Sequence, residues 1–154
     1  MSVELEAAPS PGTGVDYRGT FGWPVEWHQG GLRLVTGSGV GAVVVPRALS
    51  EVVLASLARQ GCSGPAVALP TRRERVTVLL VEADDVAVAE TPLPSGVRVL
   101  PAGSAIPLPG ERGTHTLARW IVEPDPSQRW LPSLGSVLTV ISSSTIVRPG
   151  ALVW

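Results

Sequence analysis

The chain has 154 residues, of which 44% are hydrophobic and 16% charged, a composition that excludes a disordered protein and suits one globular domain with a sizeable core. Its formal net charge is -1, and all 12 basic residues are arginine, so no overall basic field attracts nucleic acid. No apolar run approaches the roughly 20 residues of a membrane span, and the N-terminus lacks the pattern of a signal peptide, which predicts a cytoplasmic protein without membrane contacts.

The N-terminal part of the chain divides into a lead of small residues and an aromatic segment. Residues 1–14 are rich in Ala, Pro, Gly and Ser, which predicts a flexible lead. The dipeptide Trp23-Pro24 favours extended backbone, and the first strand is predicted over residues 25–27. A glycine turn follows, and residues 32–35 alternate between apolar and polar side chains, which predicts the hairpin partner of that strand.

The segment from Gly37 to Gly61 predicts a buried strand that leads directly into an amphipathic helix. Three consecutive valines, residues 43–45, are typical of a strand buried on both faces. Pro46 ends the strand and presets the backbone for a helix start, and Gly61 is predicted to terminate the helix as its C′ residue. The apolar positions of this helix recur at helical spacing and are Leu49, Val52, Val53 and Leu57.

The second half of the chain carries further short strand patterns. Residues 66–69 and 76–81 predict two strands, and the loop between them is rich in arginine. Because strand patterns separated by a short loop usually pair, we expect these two to be neighbours in one sheet. Additional short strands are predicted over residues 86–89, over residues 97–100, near Ile106 and over residues 117–122.

The last predicted element is a helix from Pro132 to Ile141. Proline suits the first helical turn, and the apolar stripe consists of Leu134, Val137, Leu138 and Ile141. The serine-rich run after Ile141 is expected to end the helix, so that residues 143–154 form a tail. The element order predicts a single α+β domain over residues 15–142, with a mixed or mostly antiparallel sheet and two main helices.

Several short motifs follow one another between residues 17 and 138. They are Gly22-Trp23-Pro24-Val25, Thr36-Gly37-Ser38-Gly39, Ile106-Pro107-Leu108-Pro109-Gly110, Arg119-Trp120 and Arg129-Trp130-Leu131-Pro132. In this order and spacing they resemble the bifunctional primase-polymerase domain family, in particular its short, divergent members from GC-rich bacteria. No single motif is specific, so the resemblance depends on the whole series.

The resemblance also identifies what this chain lacks. Active members of the family hold divalent metal, and through it the triphosphate, on an Asp-x-Asp pair, which two-metal phosphoryl transfer requires. Those two positions fall on Val44 and Pro46, neither of which binds metal. The family's triphosphate-contacting histidine belongs in the strand over residues 76–81, which contains no histidine. The resemblance therefore implies a domain without catalytic residues, metal or cofactor.

Other residues with chemically reactive side chains each have a simpler explanation. Glu82 and Asp84 are two residues apart, so on a strand they share one face and are compatible with a metal, although a solvated acidic turn is favoured. His28 is two residues from Glu26 and could pair with it, although exposed side chains on an edge strand are favoured. His115 lies in a polar loop without a partner. Cys62 is interpreted as a small buried side chain, because nothing near it in sequence would lower its pKa.

Two features favour binding rather than catalysis. Arg72, Arg73 and Arg75 share one loop and suit a phosphate or an acidic partner, although Glu74 interrupts them and a solvated hairpin tip is favoured. Among the tryptophans, Trp23 and Trp130 are predicted to lie in the core, whereas Trp154 is the best candidate for a contact outside the fold. The leading hypothesis is a catalytically inactive domain that binds a protein partner or itself. The alternatives are a weak nucleic-acid or nucleotide binder, and an enzyme that uses Glu82 and Asp84.

Overall fold

Two antiparallel sheets and two helices make up the part of the chain that a computed structural model describes, which is residues 17–28, 31–71, 74–83, 93–109, 118–128 and 130–152. A π-helical turn, Tyr17–Phe21, comes first. The strands are β1 (Val25–His28), β2 (Gly31–Val35), β3 (Val40–Pro46), β4 (Ala66–Pro70), β5 (Arg75–Glu82), β6 (Arg98–Val99), β7 (Ala105–Pro107) and β8 (Arg119–Val122). The helices are α1 (Arg47–Arg59) and α2 (Leu134–Leu152). This arrangement confirms the predicted α+β class.

The larger sheet has five strands in the order β6-β3-β5-β4-β8, and every neighbouring pair is antiparallel. Strand β3 lies inside the sheet, and its residues from Val40 to Val45 are all buried. The prediction of a central strand buried on both faces is therefore confirmed. The predicted pair over residues 66–69 and 76–81 is also confirmed, since β4 and β5 are paired neighbours.

The switch from β3 to α1 occurs at the proline. Pro46 occupies the N-cap position with φ −65° and ψ 155°, which is extended backbone, and the next residue is helical. At the other end, Gly61 has a φ of +74°, a left-handed conformation that glycine adopts without strain. Both predicted ends of α1 are confirmed.

Helix α2 is longer than the serine-rich run suggests, since it continues to Leu152. Such a run predicts a helix end, because Ser and Thr hydroxyls compete for the hydrogen bonds of the backbone N–H and C=O groups. Here the hydroxyls bond to carbonyls of their own helix instead. Thr139 donates to the Gly135 carbonyl at 2.9 Å, and Ser143 donates to the Thr139 carbonyl at 2.9 Å. The helix backbone keeps its own bonds, so the run does not terminate it.

The smaller sheet has the order β1-β2-β7 and packs against one face of the larger one. One core cluster therefore lies between the sheets, and a second lies between the larger sheet and the two helices. Alternation along β3 assigns its side chains to these layers. Ala42 and Val44 belong to the cluster between the sheets, whereas Val43 and Val45 belong to the cluster under the helices.

Some predictions concern residues outside the described part of the chain. They are the lead over residues 1–14, the strand over residues 86–89, and the individual residues Arg72, Arg73, Asp84, His115 and Trp154. These predictions stay predictions.

Candidate functional site

The two positions that the resemblance assigns to metal-binding aspartates lie in different surroundings. Val44 is 7% exposed and belongs to the cluster between the sheets. Its direct cross-strand neighbours are Val78 on β5 and Arg98 on β6. Pro46 is half-buried and lies so near Gly96 that a Cβ added to that glycine would be 3.0 Å from the proline Cγ. Val44 therefore does not line an open cleft, and neither residue offers a ligand atom.

The glycine-rich turn before β3 borders a cavity of about 230 Å³. Gly37 and Val40 exchange both backbone hydrogen bonds at 2.9 Å, and the residues between them adopt left-handed conformations. The Thr36 hydroxyl donates to the Pro101 carbonyl at 2.8 Å and accepts the Ser104 N–H at 2.9 Å. The described lining is otherwise built of glycine and apolar residues with Ser38. It presents no acid, base or metal ligand.

The acidic pair that was considered for metal binding is only partly described. Glu82 is exposed at the end of β5, and its N–H donates to the Pro132 carbonyl at 2.8 Å. Asp84 lies outside the described residues. Among the residues whose positions are described, no group of three or more His, Cys, Asp and Glu side chains could hold a metal ion.

Cys62 is half-buried rather than fully buried, and it packs against the cluster under the helices. Its thiol lies 3.7 Å from the Gln60 carbonyl, a weak contact at most. The packing agrees with a small apolar role.

The arginine loop connects β4 to β5 in sequence, and its described residues are Thr71, Glu74 and Arg75. Thr71 closes it, since its N–H donates to the Glu74 carbonyl at 2.8 Å and its hydroxyl accepts the Glu74 N–H at 3.1 Å. Arg75 pairs with Pro70 and has an exposed side chain. Arg72 and Arg73 occupy the two sequence positions between Thr71 and Glu74.

Four aromatic residues form a cluster beside the core between the sheets. Trp23, which is 3% exposed, stacks on Tyr17 at 5.5 Å and on Phe21 at 4.8 Å between ring centroids. The Trp120 indole N–H donates to the Tyr17 hydroxyl at 3.1 Å, and that hydroxyl donates to the Pro109 carbonyl at 3.0 Å. Burial, the largest cause, raises the pKa of Tyr17 above its usual value. The core position predicted for Trp23 is confirmed.

The core position predicted for Trp130 is wrong, because 71% of this residue is exposed. Its neighbours in sequence supply the contacts instead. Leu131 packs against the cluster between the sheets, and Pro132 lies so close to Gly64 that an added Cβ there would be 2.6 Å from the proline Cδ. The chain is thus anchored immediately after Trp130, which leaves the indole outside.

A turn anchors the same loop before Trp130. The Asp125 carboxylate accepts the Ser127 N–H at 2.9 Å and the Ser127 hydroxyl at 2.7 Å. The Asp125 carbonyl also accepts the Gln128 N–H at 2.8 Å. Bonds from Ser127 lower the pKa of this exposed carboxyl. Described contacts therefore hold the chain at residues 125–128 before Trp130 and at residues 131–132 after it. Residues 123–133 are here called the Trp130 loop.

The chain matches no protein-family model, no curated protein and no solved structure. Its likeness to the primase-polymerase family rests on the motifs alone. Within the described residues, neither helix combines the length and apolar character that crossing a bilayer requires.

Sequence reasoning missed the exposed surface. Trp27 is 67% exposed and Ile121 is 44% exposed, and with Trp130 they are the large hydrophobic residues that the described chain displays. The proline and serine residues around Trp130 were the signal available in sequence, because they indicate a loop rather than a packed element.

Proposed function

We propose that this chain is a catalytically inactive primase-polymerase-like domain that acts as a binding module through protein contacts. The observation that carries the proposal is Trp130, which is 71% exposed on a loop that is anchored on both sides. Tryptophan is among the residues most enriched at the energetic centres of protein interfaces, because it adds contact area with little loss of side-chain entropy.

The surroundings of Val44 support the part of the proposal that the domain is catalytically inactive. A carboxylate at this position would be enclosed by apolar side chains, where an unpaired charge is costly. With valine there, the two sheets pack without a polar group at that point. Position 44 therefore supports packing, and Pro46 supports the start of α1.

A polymerase assay tests whether the domain is catalytically inactive. The full chain, with a primed template, nucleoside triphosphates and either magnesium or manganese, is expected to give no incorporation above a control without protein. Template-dependent incorporation would contradict the proposal. Calorimetric titration with manganese and a nucleoside triphosphate addresses the alternatives, because a nucleotide binder or an enzyme based on Glu82 and Asp84 would release heat at a defined stoichiometry.

Copurification tests whether the domain binds a protein partner through Trp130. The tagged chain and two variants, Trp130→Ala and Gln128→Ala, are to be recovered from the native host and compared by quantitative mass spectrometry. Gln128 is the matched control because it is exposed on the same loop. We expect the wild type and Gln128→Ala to retain the same protein in similar amounts, and Trp130→Ala to lose most of it. Equal retention by all three chains would remove Trp130 from the interface.

A further inference from the structure

Charged side chains of the described chain are distributed unevenly along the five-stranded sheet. Strand β3 ends where β5 begins, because Pro46 pairs with Val76, and β8 begins opposite Ala68 near the end of β4. Three exposed arginines lie at this end, here called the basic end, and Glu51 and Glu74 are the acidic residues near them. The arginines are Arg47, Arg75 and Arg119.

The opposite end of the sheet is acidic. There Val40 pairs with Glu82, and β8 runs toward this end from Arg119 to Val122, which lies opposite Ala66. Three exposed carboxylates belong to this acidic end, namely Glu82, Glu123 and Asp125. Two arginines also bear on this end: Arg129 precedes Trp130 in sequence, and Arg59 ends α1, where its guanidinium donates to the Ser56 hydroxyl at 3.1 Å.

The Trp130 loop belongs to the acidic end. Its backbone is joined to that end by the bond from the Glu82 N–H to the Pro132 carbonyl, and it contains Glu123 and Asp125. An exposed indole on a loop that also carries two exposed carboxylates suits a cationic partner, because guanidinium groups stack on tryptophan and are attracted by acidic residues. The basic end of this same chain presents such groups.

We propose that copies of this chain associate head to tail, with the basic end of one copy on the acidic end and Trp130 of the next. The inference rests on the proposed function and names its partner, a second copy. Charge complementarity between the two ends selects this partner, since one chain carries both surfaces. In such a row, each of the two outermost copies keeps one unoccupied end. Further copies add there, so the assemblies lengthen as the protein concentration rises.

Mass measurements on the full chain test the association. Sedimentation equilibrium at about 50 mM salt is expected to give an average mass that rises with concentration above the monomer's 16.0 kDa, and about 500 mM salt should return it to the monomer, because exposed charges are then screened. A chain that is monomeric throughout, or whose association ignores salt, would overturn the proposal.

Charge reversal gives a sharper test. One double variant, Arg47→Glu with Arg75→Glu, makes both ends acidic, and the other, Glu82→Arg with Glu123→Arg, makes both ends basic. Each is expected to be monomeric alone at low salt, and an equal mixture should associate again because each supplies the end that the other lacks. A mixture that stays monomeric, or single variants that associate like the wild type, would overturn the proposal. Thermal melts confirm that both variants fold.

The role of Trp130 has its own control. Trp130→Ala is expected to weaken the low-salt association roughly tenfold or more, the effect of losing an interface anchor. Trp27→Ala, at the other highly exposed tryptophan, should leave the association unchanged, and equal effects of the two variants would remove Trp130 from the contact.

The two proposals fail in different ways. A chain that never self-associates, yet retains another protein through Trp130, would refute the proposal that the partner is a second copy and would leave the proposed function standing. Template-dependent incorporation would refute the proposed function while the mass measurements still decide self-association.

Discussion

At the scale of single residues, Val44 tests whether the packed core between the sheets accepts a charge. Val44→Asp is expected to lower the free energy of unfolding by more than about 4 kcal/mol, because it buries a carboxylate without a partner. The pKa of the new carboxyl should rise for the same reason. Thermal melting with and without manganese measures the loss, and Ile121→Asp at an exposed position serves as the control.

A stable Val44→Asp protein that manganese stabilises further would contradict this expectation. It would show that position 44 opens to a cleft which accepts metal.

Tyr17 links three parts of the chain through one hydroxyl. Tyr17→Phe is expected to cost about 1–2 kcal/mol, because the Pro109 carbonyl and the Trp120 indole each lose a partner. Chemical denaturation near neutral pH measures this loss, with the aromatic stacking on Trp23 retained in the variant.

The stability difference between the wild type and Tyr17→Phe depends on pH, because the pKa of Tyr17 is raised in the folded protein. Because the folded pKa lies above the unfolded value of 10.0, its stabilising contribution is complete below that value and is lost as pH rises through the folded pKa. Phenylalanine does not titrate. The stability difference between wild type and Tyr17→Phe should therefore be constant well below pH 10.0 and shrink as the pH rises above 10.0, and a difference that stays constant there would contradict the assignment.

At the scale of elements, every described sheet edge carries a feature that discourages further strand pairing. On β1, the outward Val25 carbonyl accepts the Arg18 guanidinium, and the Val25 N–H donates to Trp23. Strand β7 ends in Pro107, which has no N–H. Strand β6 has only two residues, and β8 contains a register shift opposite Ala66 and Val67. Contacts with a partner are therefore expected through side chains rather than through an added strand.

The junction between α1 and the Trp130 loop provides a prediction at this scale. Gly64→Ala is expected to cost about 1–3 kcal/mol, because the new Cβ would be 2.6 Å from Pro132 Cδ and 2.9 Å from Pro132 Cγ. Gly61→Ala is the comparison, since an added Cβ meets nothing within 4 Å there and the cost is the left-handed φ of +74° alone.

Denaturation midpoints and self-association distinguish the two glycine variants. Gly64→Ala should lose stability and weaken the low-salt association, because it displaces the support of Trp130. Gly61→Ala should lose about 1 kcal/mol, the order of the left-handed cost for an L residue, and keep the association. A Gly64→Ala protein with wild-type properties would show that Pro132 does not fix the loop.

At the scale of the whole molecule, the net charge of -1 conceals the separation of charge along the sheet. A basic end with three described arginines is too small for tight binding of DNA. We expect affinities weaker than about 1 µM at physiological salt, with a further loss as salt rises. Fluorescence anisotropy measures this, and tighter binding that Arg72→Ala with Arg73→Ala abolishes would favour the nucleic-acid alternative.

The amino-acid sequence by itself determined the elements that depend on local patterns. The valine run of β3, the switch at Pro46 and the end of α1 at Gly61 follow from backbone preferences that neighbours in sequence impose. The α+β class follows from the order of those elements. The length of α2 did not, because the bonds of its serine and threonine hydroxyls to the helix backbone have no pattern in sequence.

Only the tertiary structure decided what those elements face. Local periodicity places Val44 opposite Val43 on the strand, but the second sheet decides that Val44 is enclosed rather than open to a cleft. Trp130 resembles a core residue in sequence, yet its neighbours Leu131 and Pro132 take the contacts and leave it exposed. The charged ends arise because antiparallel register gathers residues distant in the chain at one end of the sheet, and register depends on contacts across the whole molecule.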